Sequence, residues 1–399
     1  MANVSNLFAK QYLMTAGPTP LPPAVSQVMA EPILYHRALA FVEVYERALG
    51  NLPKVFRTGN DVLSFSSSGS GAMESAVANL CVPGESAVVA SAGKFGERWA
   101  ELCRGHGADL THLEFEWGEK IDPDRVDAAL AALPQPPRAL FATQSETSTG
   151  VVHDVRALAE VARRHEAILV IDAISGLGAV DLPQDEWGVD VVVSGSQKSL
   201  MCPPGLAFAS VSERALSAAA ESPGRRYYFD WARTAKGQRE QPANSPFTPA
   251  VTLWMALDVA LGQILEEGLD GVFARHAVLA RAARAGIEAI GLERFGPDDP
   301  DPDANVVTAA RLPESIDGAA VPKLMRDRLG ITVAGGQGRL KGQIVRIAHC
   351  GYYGAFDIVV ALSGLEMALR DLGHECEPGA GAGAAQRVFA EAGAPEPVG

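Results

Sequence analysis

Between Asp61 and Gly205, short apolar runs alternate with amphipathic stretches, and this alternation limits the possible folds more than any other feature. Residues 62–65 precede a helical pattern at 72–80, residues 86–90 one at 95–104, and residues 139–142 one at 155–164; two further runs follow at 168–171 and 189–193. Runs rich in Val and Ile are what a parallel sheet buries on both faces, and the stretches between them serve as crossover helices. The pattern predicts an α/β domain.

Around this core the chain divides into four expected parts: an N-terminal arm at 1–15, a large domain at 16–268, a small domain at 269–376 and a flexible tail at 377–399. Gly17-Pro18-Thr19-Pro20-Leu21-Pro22-Pro23 gives an extended lead-in with little freedom at each proline. Residues 249–290 carry apolar positions at helical spacing, broken near Gly268, which predicts two helices. An acidic, proline-rich loop at 297–303 leads to a smaller α+β unit with apolar runs at 306–307 and 344–347 and helical patterns at 321–328 and 358–371. After Cys376 the sequence is rich in Gly, Ala and Pro and offers little to pack.

Composition removes several function classes. The 399 residues are 47% hydrophobic and 21% charged, enough for a large core, and the net charge of −14 argues against nucleic-acid binding. No apolar stretch approaches the roughly 20 residues of a membrane span. The first ten residues have neither secretory nor transit character, so a cytoplasmic location is expected. Five cysteines, none closer than Cys81 and Cys103, form no CxxC pair, and no HExxH, P-loop or GxSxG motif is present, so no metal site is expected.

Three segments carry chemistry. Ser66-Ser67-Ser68-Gly69-Ser70-Gly71-Ala72-Met73-Glu74 joins an apolar strand to a helix with an expected buried stripe of Met73, Ala76, Val77 and Leu80. Free N–H groups at such a junction favour an anion, and Ser70 adds a hydroxyl. Asp172 ends the apolar run at 168–171, where an open α/β sheet places ligands and where a carboxylate can meet a cationic ring nitrogen. Lys198, in Ser194-Gly195-Ser196-Gln197-Lys198, lies in an apolar, glycine-lined setting that would lower its pKa and free the amine to attack a carbonyl. Taken singly, each has a plainer reading: a capped Gly/Ser turn, an Asp closing a turn, a surface lysine. Together they supply what pyridoxal 5'-phosphate needs, namely a phosphate cradle, a partner for the ring nitrogen and an amine for the aldehyde.

The chain resembles the class V aminotransferases of fold type I, in particular the serine/alanine–glyoxylate (serine–pyruvate) group. The motifs are GPTP at 17–20, SGSGAME, SETSTGVV, LVIDAISGLG, SGSQKSLMCPPGL, FTPAV and GGQGRLKGQIVRIAHCG. The resemblance implies a large domain with a mixed, mostly parallel sheet flanked by helices, and a smaller α+β C-terminal domain. It implies that Lys198 holds the cofactor covalently and moves the substrate proton, and that Asp172 pairs with the ring nitrogen. Phe95, where many relatives have Trp, and Ile174 would cover the two ring faces, and Thr147 would stand near the ring hydroxyl. Ser70, Gly71, Ala72 and Gln197 would hold the phosphate, joined by Thr248 from the other subunit of a homodimer. Two donors of the relatives are missing here, because Ala72 stands where many have His and Ser245 where several have Tyr.

By the same resemblance Arg346 and Gly17 would bind the substrate, Arg346 gripping its carboxylate with two parallel hydrogen bonds. His349 is open between a pocket role and a structural one, and Tyr227, Tyr228, Tyr352 and Tyr353 read as packing residues. The expected activity is ping-pong transfer of an amino group from serine or alanine to glyoxylate or pyruvate. The alternatives are a desulfurase or lyase on the same scaffold, aspartate or ureidoglycine as donor, a non-catalytic cofactor-binding regulator, and a nicotinamide oxidoreductase, the last opposed by Glu74 where GxGxxG needs Gly.

Overall fold

The computed structural model describes residues 8–224, 226–297 and 304–393. Its centre is a seven-stranded sheet in the order Asp61–Phe65, Ala207–Val211, Val191–Gly195, Ile168–Asp172, Ala139–Thr143, Ser86–Ser91 and Asp109–Glu114. Every neighbouring pair is parallel except the two made by Ala207–Val211, which runs against both its neighbours. The mixed, mostly parallel sheet is therefore present, with one antiparallel strand that the apolar rhythm did not single out.

Alternation along the strands sorts the side chains into two cores. Val88, Leu140, Leu169, Ile171, Val192 and Phe208 face the helices Leu39–Phe56, Val155–Arg164 and Val251–Glu267. Val89, Phe141, Val170, Val193 and Ala209 face Gly69–Leu80, Lys94–Gly105 and Trp231–Arg239. Gly69–Leu80 is buried at Gly69, Gly71–Met73 and Ser75–Leu80, so the expected stripe is corrected to burial almost all round. Trp231 and Phe229 close the side turned from the sheet, Trp231 Nε1 donating to Ser75 Oγ at 3.1 Å and Asn79 Nδ2 to the Phe229 carbonyl at 2.6 Å.

A third core joins the antiparallel sheet of Val307–Arg311, Ile344–Ala348 and Ala334–Gly335 to the helices Leu269–Ala289, Ala320–Leu329 and Ala355–Asp371. The predicted helix pair is observed as Val251–Glu267 and Leu269–Ala289. The expected arm contributes Tyr12–Leu13, which pairs in parallel with Ile331–Thr332, and Met14 is buried.

The flexible-tail expectation is corrected over Ala380–Glu391, a helix packed on this core through Gly381, Ala384 and Ala385. Small residues are what permit it, since a Cβ at Gly381 would stand 3.0 Å from the Gly286 carbonyl oxygen. Buried Glu366 caps its start, accepting the N–H groups of Gly379 and Gly381 at 2.9 and 2.5 Å. Beyond Pro297, the expected acidic loop lies outside the described residues. Among the described residues no helix is long and apolar enough to cross a membrane.

Candidate active site

Because six of the seven strands point the same way, their carboxyl ends share one edge, and the predicted site residues follow those ends. Ser70 and Gly71 come after Phe65, Phe95 after Ser91, Thr147 after Thr143, Asp172 and Ile174 close the central strand, and Gln197 and Lys198 follow Gly195. The edge thus gathers residues from Ser70 to Lys198 into one cluster.

The phosphate cradle is the start of Gly69–Leu80. Ser68, its first flanking residue, makes no side-chain capping bond, so the amino end stays available to an anion. Glycine keeps it open: a Cβ at Gly69 would stand 2.7 Å from Ile174 Cδ1, and one at Gly71 would strike Ser67 Oγ. Gln197 Oε1 is buried without a partner, and a Cβ at Gly195 would meet it at 2.9 Å. Ala72 is fully buried and supplies no polar side-chain atom. An uncapped helix start, kept open by two glycines whose Cβ atoms would fill it, fits a phosphate.

Asp172 is 3% exposed, and the backbone N–H of Ile174 donates to its Oδ1 at 2.8 Å. Burial raises its carboxyl from 3.8 to about 7, with buried Glu146 adding to the rise and Ile174 N–H, Arg98 and Lys198 opposing it. A carboxylate this poorly satisfied fits a cationic ring nitrogen, whose charge would replace the missing water. Lys198 is held below the usual lysine range chiefly by desolvation, with Arg346 and Arg98 pushing the same way. Its Nζ donates to the Ala16 carbonyl at 2.5 Å, and Thr19 holds the lysine's own carbonyl through Oγ1 at 3.0 Å. Gly17, at φ +134°, passes so close that a Cβ there would overlap Lys198 Nζ and Cε.

Arg346, on the strand Ile344–Ala348, is 5% exposed. Its Nε and Nη2 donate to the Gly335 carbonyl at 3.1 and 2.8 Å, and Nη1 donates to the Thr147 carbonyl at 2.6 Å. A guanidinium has five N–H groups, so two remain for a ligand, and desolvation lowers its pKa only to about 10. Thr147 Oγ1 lies 3.4 Å from Ser175 Oγ, and the partly buried Phe95 presents its ring at the same edge.

Two functional residues were missed by sequence reasoning. Glu146 is fully buried and accepts the N–H groups of Phe95, Gly96 and Ser148 at 3.1, 2.9 and 3.1 Å and the Ser148 hydroxyl at 2.5 Å. It therefore caps the helix that carries Phe95, whose own flanking residue is Gly93. Arg98, one turn after Phe95, donates Nη1 to Ser70 Oγ at 3.1 Å and lies over the Phe95 ring, 5.1 Å from its centroid. Their only sequence signal was position: Glu146 inside SETSTG, and Arg98 three residues beyond Phe95 on an expected helix.

Among the described residues no hydrogen bond joins Thr248 to Ser70, Gly71, Gln197 or Lys198, and it lines a cavity with Phe65, Ser66 and Tyr228. His349 takes its structural role, buried between Thr308 Oγ1 and the Asn305 carbonyl, both at 2.9 Å. Tyr353 donates to the carbonyls of Leu13 and Thr15, which ties the N-terminal segment to the site. Tyr227, Tyr228 and Tyr352 are exposed in the single chain, Tyr227 and Tyr228 packing on Phe247.

The family model of the class V aminotransferases matches residues 11–348. Over 386 residues the chain is 39% identical to a protein named soluble hydrogenase, small subunit, from Synechococcus sp., covering 96% of this chain and 99% of that one. It is 35% identical to an L-aspartate–glyoxylate aminotransferase of Paracoccus denitrificans, over 94% of each chain, and 33% identical to a serine–glyoxylate aminotransferase of Methylorubrum extorquens, over 96% of each. The crystal structure of a ureidoglycine–glyoxylate aminotransferase from Bacillus subtilis superposes with a TM-score of 0.89 at 30% identity, covering 96% of this chain and 98% of that one. The chain belongs to the class V aminotransferase family, has the fold of the pyridoxal-phosphate-dependent fold type I enzymes, and uses pyridoxal 5'-phosphate.

Proposed function

Starting from a class V aminotransferase, we propose that this protein transfers the amino group of a small, uncharged amino acid, serine or alanine, to glyoxylate or pyruvate by a ping-pong mechanism. The observation that carries the reading is the charge inventory round Lys198. The charged side chains acting on it are Asp172, Arg346 and Arg98, with the Cys350 thiol beside them. Arg346 has two N–H groups left for the α-carboxylate and Arg98 is turned to Ser70, so among the described residues of one chain no third guanidinium faces a side-chain carboxylate. That favours serine or alanine over aspartate. The side chains round Lys198, rather than any relative's name, carry this assignment.

When bound, the cofactor supplies a conjugated electron sink that makes the substrate's Cα–H acidic. Asp172 stays ionised opposite the ring nitrogen. Lys198, kept low in pKa by burial, takes up the Cα proton at Nζ and returns it. Arg346 fixes the carboxylate, which sets the Cα–H bond toward Lys198. Glu146 holds the Phe95 turn, so that Phe95 and Ile174 enclose the ring and exclude water. Cys350 is fully buried with its thiol pushed up by burial, a poor setting for the mobile thiolate that desulfuration needs.

The active protein is a homodimer in this reading, with Thr248 of a second copy completing the phosphate site. In support, Thr248 adjoins a group of exposed aromatic residues: Tyr228 stacks on Phe247 at 4.8 Å, and Tyr227 lies 5.6 Å from the same ring. Ile33, Tyr35 and Leu39 are also exposed. Apolar surface of this kind is what a partner covers.

Steady-state rates with glyoxylate as acceptor test the substrate assignment. Serine or alanine should give parallel double-reciprocal lines and exceed aspartate in kcat/KM. Aspartate as the preferred donor would overturn the choice of substrate and leave the transaminase standing.

A further inference from the structure

A phosphate dianion taken out of water needs a cation or a dense set of donors, because burying an uncompensated charge is strongly unfavourable. The cradle residues Ser70, Gly71, Ala72 and Gln197 are all neutral. Lys198 is committed to the reacting end, and three of the five N–H groups of Arg346 are held by Gly335 and Thr147. Arg98 is different. Its guanidinium is partly buried and, among the described residues, makes one hydrogen bond, to Ser70 Oγ at 3.1 Å. Among the described residues it is ion-paired with no carboxylate, unlike Arg47, Arg57, Arg214 or Arg239. Phe95 and Arg98 stand three residues apart on Lys94–Gly105, so they share a helix face, and the ring lies under the guanidinium.

Resting on the cofactor reading above, we propose that Arg98 is the cation of the phosphate cradle: its free N–H groups bind the cofactor's phosphate, and Ser70 and Phe95 hold it in place to do so. A planar fork suits a phosphate, and its charge offsets a dianion that hydroxyl and backbone donors cannot neutralise. The uncapped start of Gly69–Leu80, on which Ser70 stands, offers its N–H groups to the same anion.

The test compares pyridoxal phosphate with pyridoxal, which keeps the ring and aldehyde and lacks the phosphate. Apoprotein of wild type, Arg98→Gln and Arg98→Lys is titrated with each, read by absorbance of the lysine-bound ligand, with thermal midpoints as the folding control. Arg98→Gln should weaken pyridoxal phosphate by roughly ten- to hundredfold and leave pyridoxal within about twofold of wild type; Arg98→Lys should fall between. Equal weakening of both ligands, no weakening of either, or Arg98→Lys as weak as Arg98→Gln would overturn the proposal while leaving the cofactor reading intact. Wild type binding neither ligand would overturn both.

Discussion

Replacing Asp172 by Asn should alter how the stability of the cofactor-free protein depends on pH. Burial, with Glu146 adding to it, raises the Asp172 carboxyl to about 7 against 3.8 for an ordinary aspartate, and the unfolded chain restores the ordinary value. Between these values the native protein keeps a proton that the unfolded chain has lost, so this group's contribution falls as pH rises through the window and is fully lost above about pH 7. About three pH units at about 1.36 kcal/mol each make about 4 kcal/mol. Asparagine has the same shape, keeps an oxygen for the Ile174 N–H, and has no proton to lose. With an unfolding entropy of about 2.1 cal/mol/K per residue, 399 residues give about 0.8 kcal/mol/K, and 4 kcal/mol corresponds to about 5 °C. Thermal midpoints of both apoproteins, followed from about pH 4.5 to about pH 8.5, are the assay. Wild type should lose about 5 °C relative to Asp172→Asn across that range. A difference that does not change with pH would refute the argument.

Adding the cofactor should reverse the order, because a ring cation favours the carboxylate: holoprotein carrying Asp172→Asn should bind pyridoxal phosphate more weakly than wild type in an absorbance titration, and equal affinity would contradict the ring-nitrogen contact. Arg346→Gln should raise KM for serine by roughly a hundredfold with the cofactor spectrum unchanged, whereas an unchanged KM would remove Arg346 from the substrate site. Gly17→Ala places a methyl on Lys198 Nζ at a backbone φ of +134°, so kcat should drop by more than roughly tenfold, with a normal rate showing that the lysine does not need that space.

What the sequence made legible was chemistry written in short, contiguous stretches. The strand 168–172 with its terminal Asp, the glycine-bounded helix start at Gly69 and the lysine after Gly195 each state their role locally, and a parallel sheet then brings its carboxyl ends together. Features that depend on distant packing were not legible. Ala207–Val211 is a five-residue apolar run like any buried segment, and only its two partners make it antiparallel. Ala380–Glu391 looks like a loose tail because Gly and Ala predict little burial, yet those small residues let it lie against Leu269–Ala289 and take Glu366 as its cap. Glu146 and Arg98 are a buried acid and a partly buried base whose meaning comes from the Phe95 turn and Ser70, 51 and 28 positions away. Thr248 cannot be placed at the cradle by one chain, because in the proposed assembly its partners belong to a second copy.

The most direct measurement of the central claim is an absorbance spectrum of the purified holoprotein, taken alone, after L-serine or L-alanine, and again after glyoxylate. The account predicts a band of lysine-bound cofactor that is missing in Lys198→Ala, that shifts when the amino acid donates its amine and that returns when glyoxylate accepts it. A wild-type protein showing no such band even after incubation with pyridoxal phosphate would contradict the account at its root.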